Sequence, residues 1–156
     1  MPARGLGDRN STKREDVGRL TSMIVGTEWL VDATGCRAAA LCDARLLRGV
    51  CERVIAELDL QVVGEMLWHQ FPSPGGVTGL ALLSESHLAC HTYPEYGVAT
   101  FNLYCCRARP EWPWEKRLSE MLGARGVKVQ ALERLFVADI FPGLEHPFQL
   151  ALAKES

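Results

Sequence analysis

The stretch VTGLALLSESHLACHTYPEYGVATFNLYCC, residues 77–106, decides how this chain folds. Val77–Leu83 is an apolar run of strand length, and Val98–Cys106 alternates well enough to be another strand. Between them, Ser84, Glu85, Ser86 and His87 interrupt an apolar run that otherwise reads as a strand. Cys90, His91, Tyr93, Glu95 and Tyr96 then follow within a few residues. Links of hairpin length among these segments favour antiparallel pairing.

Working outward, Met23–Val31 reads as a first strand. Asp43 caps a helix that places Leu46, Leu47, Val50, Val54 and Leu58 on one face. Val62–Phe71 returns to a β-rich run, broken by Pro72, Ser73, Pro74, Gly75 and Gly76. Pro113 opens a second amphipathic helix with Trp114, Leu118, Met121 and Leu122 as its buried face. Gly123–Gly126 ends it, and Val127–Phe136 is a last strand. The order β-α-β-β-β-α-β predicts an α+β fold: a two-layer sandwich, with two helices on one face of an antiparallel sheet. Its other face would be uncovered, so a second copy is expected to cover it, giving an αββα homodimer.

The 156 residues favour one domain, with 47% hydrophobic and 23% charged residues. A net charge of −2 gives no general case for nucleic acid or an anionic membrane as partner. No apolar run approaches the roughly 20 residues of a membrane span. Residues 1–22 are polar, lack a secretory apolar region and read as a disordered tail; residues 23–136 form the domain, and 137–156 a C-terminal tail. The six cysteines include no CxxC pair, and without a secretory signal a reducing, cytoplasmic location is expected.

The reactive residues carry bland readings beside sharp ones. His87 and His91 have the spacing of a helical metal pair, but in a strand they lie about 13 Å apart, so no metal is expected. One of Cys105 and Cys106 must face inward, and a buried cysteine is more often core than catalyst. A lone serine in a strand is usually a satisfied hydroxyl, and no GxSxG elbow is present. From this chemistry alone, a hydrolase and an unspecific binding module stand level.

Taken together, SESHLACHTYPEYG (residues 84–97) resembles the signature of the prokaryotic S-adenosylmethionine decarboxylase proenzymes, close to SESHL-x-x-H-T-x-P-E-x-G. GGVTG (75–79), the strand ending at Cys106 and GTEWL (26–30) extend the resemblance over about residues 23–136. It implies a pyruvoyl enzyme that cuts its own chain between Glu85 and Ser86. Residues 1–85 would become the β chain, and residues from 86 the α chain, headed by a pyruvic acid group made from Ser86. That group would form a Schiff base with S-adenosylmethionine and act as electron sink for loss of CO2, without pyridoxal phosphate. The product would be the aminopropyl donor for spermidine synthesis.

The resemblance further implies Cys106 as proton donor, His91 as proton acceptor in processing with Thr78 assisting, and Glu95 and Phe71 as substrate-binding residues. Independently, Ser86 and His91 are five residues apart, about 16 Å along an unbroken strand and on opposite faces. Either the chain turns between them, or they meet across a dimer interface. The interface is favoured, with Ser86 and Cys106 from one αβ protomer and Phe71, Thr78, His91 and Glu95 from the other. Tyr93, Asn102 and Arg107 depart from the Trp, Asp and Gly common in the family. The same chemistry on arginine or ornithine is therefore an alternative, and a homologue that binds without maturing is a second.

Overall fold

The apolar periodicity of the chain resolves into nine elements, and the computed structural model describes residues 22–137. They are β1 (Ser22–Thr34), α1 (Ala38–Leu41), α2 (Ala44–Glu57), β2 (Leu67–Gln70), β3 (Val77–Leu83), β4 (Ser86–Tyr93), β5 (Val98–Cys105), α3 (Trp114–Leu122) and β6 (Gly126–Val137). Met23–Phe136 forms one compact unit. The expected tails over 1–22 and 137–156 fall, but for one residue each, outside the described residues. Among the described residues, no helix is long and apolar enough to cross a membrane.

The six strands form one sheet in the order β2-β3-β4-β5-β1-β6, and the four pairings from β2 to β1 are antiparallel. Strand alternation divides side chains between two faces. Trp29, Val31 and Ala33 of β1 and Val77, Ala81 and Leu83 of β3 share a buried face with Leu88 and Cys90 of β4 and Ala99, Phe101, Leu103 and Cys105 of β5. Leu47, Val50, Cys51 and Val54 of α2 and Trp114, Leu118 and Leu122 of α3 complete this core. The two-layer α+β architecture is therefore as expected.

Local chemistry sets the ends of the helices. Asp43 Oδ1 accepts from the N–H groups of Arg45 (2.9 Å) and Leu46 (3.1 Å), satisfying two donors of the first turn of α2. Gly123 ends α3 at φ 72°, a left-handed conformation that glycine adopts without steric cost.

Several expected boundaries differ. The middle segment holds one more strand than expected: Ser86–Tyr93 is a full strand in its own right, separated from β3 by a turn of two residues. The run Val62–Phe71 yields only the four residues of β2, because Gly64 takes φ 74° and Val62 makes a single bridge to Leu83. A four-residue helix, α1, precedes α2; Leu46 and Met121 sit at the margins of the core, not within it.

One buried hydroxyl ties three elements together. Thr92 Oγ1 accepts from the Val77 N–H at 2.8 Å and donates to the Leu41 carbonyl at 2.7 Å, joining β4 to β3 and α1. Thr92→Val keeps the shape and leaves both backbone groups without this partner. It is expected to destabilise the fold by about 1–3 kcal/mol, read as a lower urea midpoint at unchanged slope. An unchanged midpoint would show that the bridge contributes nothing.

Candidate active site

The turn between β3 and β4 is as tight as a hairpin allows. Leu83 pairs with Ser86, so Ser84 and Glu85 alone make the reversal, and the Glu85–Ser86 peptide bond lies at its edge. Ser86 also faces Cys105 across the β4–β5 ladder. Burial pushes the Cys105 thiol pKa up, partly opposed by the neighbouring Ser86 side chain and by the charge of Arg109. The backbone N–H of Cys106 donates to the Glu85 carbonyl oxygen at 3.0 Å, and the Glu85 carboxylate pairs with Arg107 at 2.6 Å. Glu85, Ser86, Cys105 and Arg107 border a cavity of about 270 Å³ that also reaches Asp59, Gln61 and Arg109.

Cys106 itself is exposed and lies just beyond the end of β5. Its thiol sits against the Tyr104 hydroxyl. Desolvation first, then this neighbour, holds the Tyr104 pKa above the usual phenol value of 10.0. A Cβ at Gly26 would come within 2.4 Å of that hydroxyl, so the tyrosine occupies space that only glycine leaves open.

A second group assembles elsewhere in the sheet. Thr78 and His91 are register partners on β3 and β4, with Thr78 Oγ1 and His91 Nδ1 at 2.9 Å. They line a cavity of about 270 Å³ with Phe71, Gly76, Tyr93 and Glu95. Thus four of the expected site residues, Phe71, Thr78, His91 and Glu95, stand together, while Glu85, Ser86 and Cys106 stand together at the hairpin end. Strand β4 runs unbroken through Ser86 and His91, so no turn brings them together within the chain. Ser86 shares its side of the sheet with Leu88 and Cys90, whereas His91 lies on the uncovered side.

A polar network also lies on the uncovered face, running from β4 across β5 and β1 to β6. His87 Nε2 and Asn102 Oδ1 are 3.0 Å apart; an amide oxygen only accepts, so His87 donates through Nε2. Asn102 Nδ2 donates to Glu28 Oε1 at 2.8 Å, and Arg134 donates to Glu28 Oε2 at 2.6 Å. The His87 ring stacks on Tyr104 with centroids 5.7 Å apart. Asn102, noted as a departure, therefore links a histidine donor to one carboxylate; an aspartate there would set two carboxylates side by side.

Sequence reasoning missed Cys105, Tyr104, Arg109 and the Glu28 network. Strand parity could have found Cys105, since the inward member of the Cys105–Cys106 pair must lie opposite an even-numbered residue of β4. Arg134 and Glu28 are separated by 106 positions in sequence, and no local pattern joins them.

The S-adenosylmethionine decarboxylase family model matches residues 27–135. The chain is 33% identical over 112 residues to the S-adenosylmethionine decarboxylase proenzyme of Syntrophomonas wolfei, covering 70% of this chain and 86% of that one. It is 34% identical over 84 residues to the proenzyme of the same name from Archaeoglobus fulgidus, covering 54% and 73%. The crystal structure of the adenosylmethionine decarboxylase from Aquifex aeolicus superposes with a TM-score of 0.60 at 27% identity, over 71% of this chain and 91% of that one.

The hydrogen bonds from Asn102 and Arg134 hold the Glu28 carboxyl below its ordinary value of 4.5. A depressed folded-state pKa contributes stability that is present above 4.5 and lost as pH falls through the lower folded value. Glu28→Gln is expected to lower stability by about 1 kcal/mol at pH 7, and the difference from the parent chain should shrink below pH 4.5. Thermal unfolding of both chains across pH 3–7 checks this; a difference independent of pH would exclude the charge as its cause.

Proposed function

The chain belongs to the S-adenosylmethionine decarboxylase family, and from that premise we propose that it matures by cutting itself at Glu85–Ser86 and then decarboxylates S-adenosylmethionine. The decarboxylase activity follows from the family match over residues 27–135 and the fold shared with the Aquifex aeolicus enzyme. The observation that carries the maturation reading is the two-residue hairpin, which presents the Glu85 carbonyl to the Cys106 N–H at 3.0 Å. That N–H is a fixed donor where negative charge develops when the Ser86 hydroxyl attacks.

The Ser86 oxygen displaces its own nitrogen from the Glu85 carbonyl, converting the amide to an ester. Loss of the Ser86 Cα proton then expels the Glu85 carboxylate with its electron pair. Addition of one water to the remaining residue releases ammonia and leaves a ketone. The pyruvoyl group so formed supplies an electron sink for the pair released with CO2. Its surroundings suit it: residue 86 becomes a free chain end, no longer held by the turn. It can then move from the helix side toward Cys106 and the uncovered face. Cys106, exposed and beside Tyr104, delivers the proton that replaces CO2.

His91, Thr78, Phe71 and Glu95 reach this bond only from a second protomer. The uncovered face carries Leu67, Leu80 and Leu82, at 68%, 45% and 57% exposure, a surface that a second copy related by a twofold axis would bury. Each site would then combine the hairpin end of one αβ protomer with the His91 cavity of its partner. Glu95 would hold the ribose hydroxyls of the substrate, and Phe71 would stack on its adenine ring, a reading supported by their shared cavity.

Intact-mass spectrometry is expected to find two chains divided at Glu85/Ser86, and one uncut chain for Ser86→Ala. An uncut parent chain would end the pyruvoyl reading. Cys106→Ala should still cleave but decarboxylate S-adenosylmethionine about 100-fold or more slowly. Co-expression probes the shared site: His91→Ala alone should stay uncut, yet be cut when paired with a Ser86→Ala partner that supplies His91. Failure of the mixed pair to cut would remove the shared arrangement.

A further inference from the structure

We propose that Arg107 receives and stabilises the carboxylate expelled from Glu85 during self-cleavage, an inference that rests on the maturation reading above. Arg107 follows directly on Cys106, so one short segment after β5 holds Glu85 twice: the Cys106 N–H on its carbonyl and the Arg107 guanidinium on its side chain at 2.6 Å. The Arg107 side chain is 71% exposed, and an ion pair so open to water contributes little to stability. Its effect lies in where it holds a positive charge.

The charges around the hairpin balance before cleavage and not after. The cavity beside the bond is bordered by two guanidiniums, Arg107 and Arg109, and two carboxylates, Asp59 and Glu85. Ester formation adds no anion: the amide becomes an ester and a free amine on residue 86, and that nitrogen leaves later as ammonia. Elimination does: the Cα proton of residue 86 departs, the bond from the ester oxygen to Cβ breaks, and its electron pair stays on the Glu85 main-chain carboxylate. A third carboxylate now stands among two cations.

Arg107 is the cation already in contact with that residue. The new carboxylate lies on Glu85 itself, a short reach from its side chain, and the exposed stem of Arg107 is free to follow. A guanidinium fork can hold one carboxylate through two parallel hydrogen bonds, or bridge two. Charge is thus neutralised at the step where it appears, which lowers the barrier to elimination rather than to ester formation.

This predicts which intermediate accumulates when Arg107 is lost. The full chain is produced by cell-free synthesis and followed by intact mass, with aliquots treated with hydroxylamine, which cuts an ester at neutral pH and spares an amide. Arg107→Gln is expected to slow the appearance of the pyruvoyl chain at least about tenfold and to accumulate full-length chain that hydroxylamine cuts at Glu85/Ser86. Arg107→Lys, which keeps the charge, should recover most of the rate. Cleavage of Arg107→Gln at the parent rate would overturn the proposal, as would slowed cleavage without hydroxylamine-labile chain, which places the defect before the ester. An uncut parent chain would sink the maturation reading and this inference with it, and so is distinguishable from failure of the inference alone.

Discussion

An antiparallel strand advances about 3.4 Å per residue and turns successive side chains to opposite faces, and β4 obeys both rules without a break from Ser86 to Tyr93. The rest of the arrangement depends on this regularity. It sends Leu88, Cys90 and Thr92 into the core, where Thr92 pins β3 and α1, and it sends His87, Ala89 and His91 to the uncovered face. Because β4 is paired along its length with both β3 and β5, a kink that joined Ser86 to His91 would break two ladders at once. The separation of the two groups of reactive residues is therefore enforced by backbone hydrogen bonding. A catalytic unit that needs both groups has to be completed by a second chain.

How much of this was legible in the sequence differed by element. The Asp43 cap, the apolar spacing of α2 and α3 and the runs Val77–Leu83 and Val98–Cys106 were readable because each depends on neighbours within a few residues. The limits of β2 were not: Val62 and Val63 have strand-forming side chains, but the positive φ at Gly64 interrupts the pairing. Gly79 shows the same limit from the other side. A glycine inside a strand reads as a weakness, yet a Cβ there would lie 2.5 Å from the Trp68 ring, so its absence is what lets β2 dock.

The site was legible in its parts and not in its wiring. The motif at residues 84–97 named Ser86, His91 and Glu95, and strand geometry showed that Ser86 and His91 could not meet within one strand. His87 and Asn102 were each singled out in the sequence, but their link to Glu28 was not legible: the three lie on separate strands, brought together only by the register of β1, β5 and β4. Arg134 closes the network by pairing its guanidinium with the Glu28 carboxylate. The network gives the uncovered face a polar patch beside its leucines.

The two-residue turn between Leu83 and Ser86 has a consequence for the life of the molecule. Six register pairs join β3 to β4, and only the last, Leu83–Ser86, involves a residue of the Glu85–Ser86 bond. Cutting there would leave the other five in place, so the halves would stay bound. The topology, however, would change for good under the proposed maturation: the folded state would be reached once by a single polymer and thereafter persist as a complex of two. Unfolding would then release fragments that must find one another by diffusion, and refolding would become second order in concentration. Cleavage at this turn would act as a ratchet, leaving the architecture intact while discarding the connectivity by which it was first assembled.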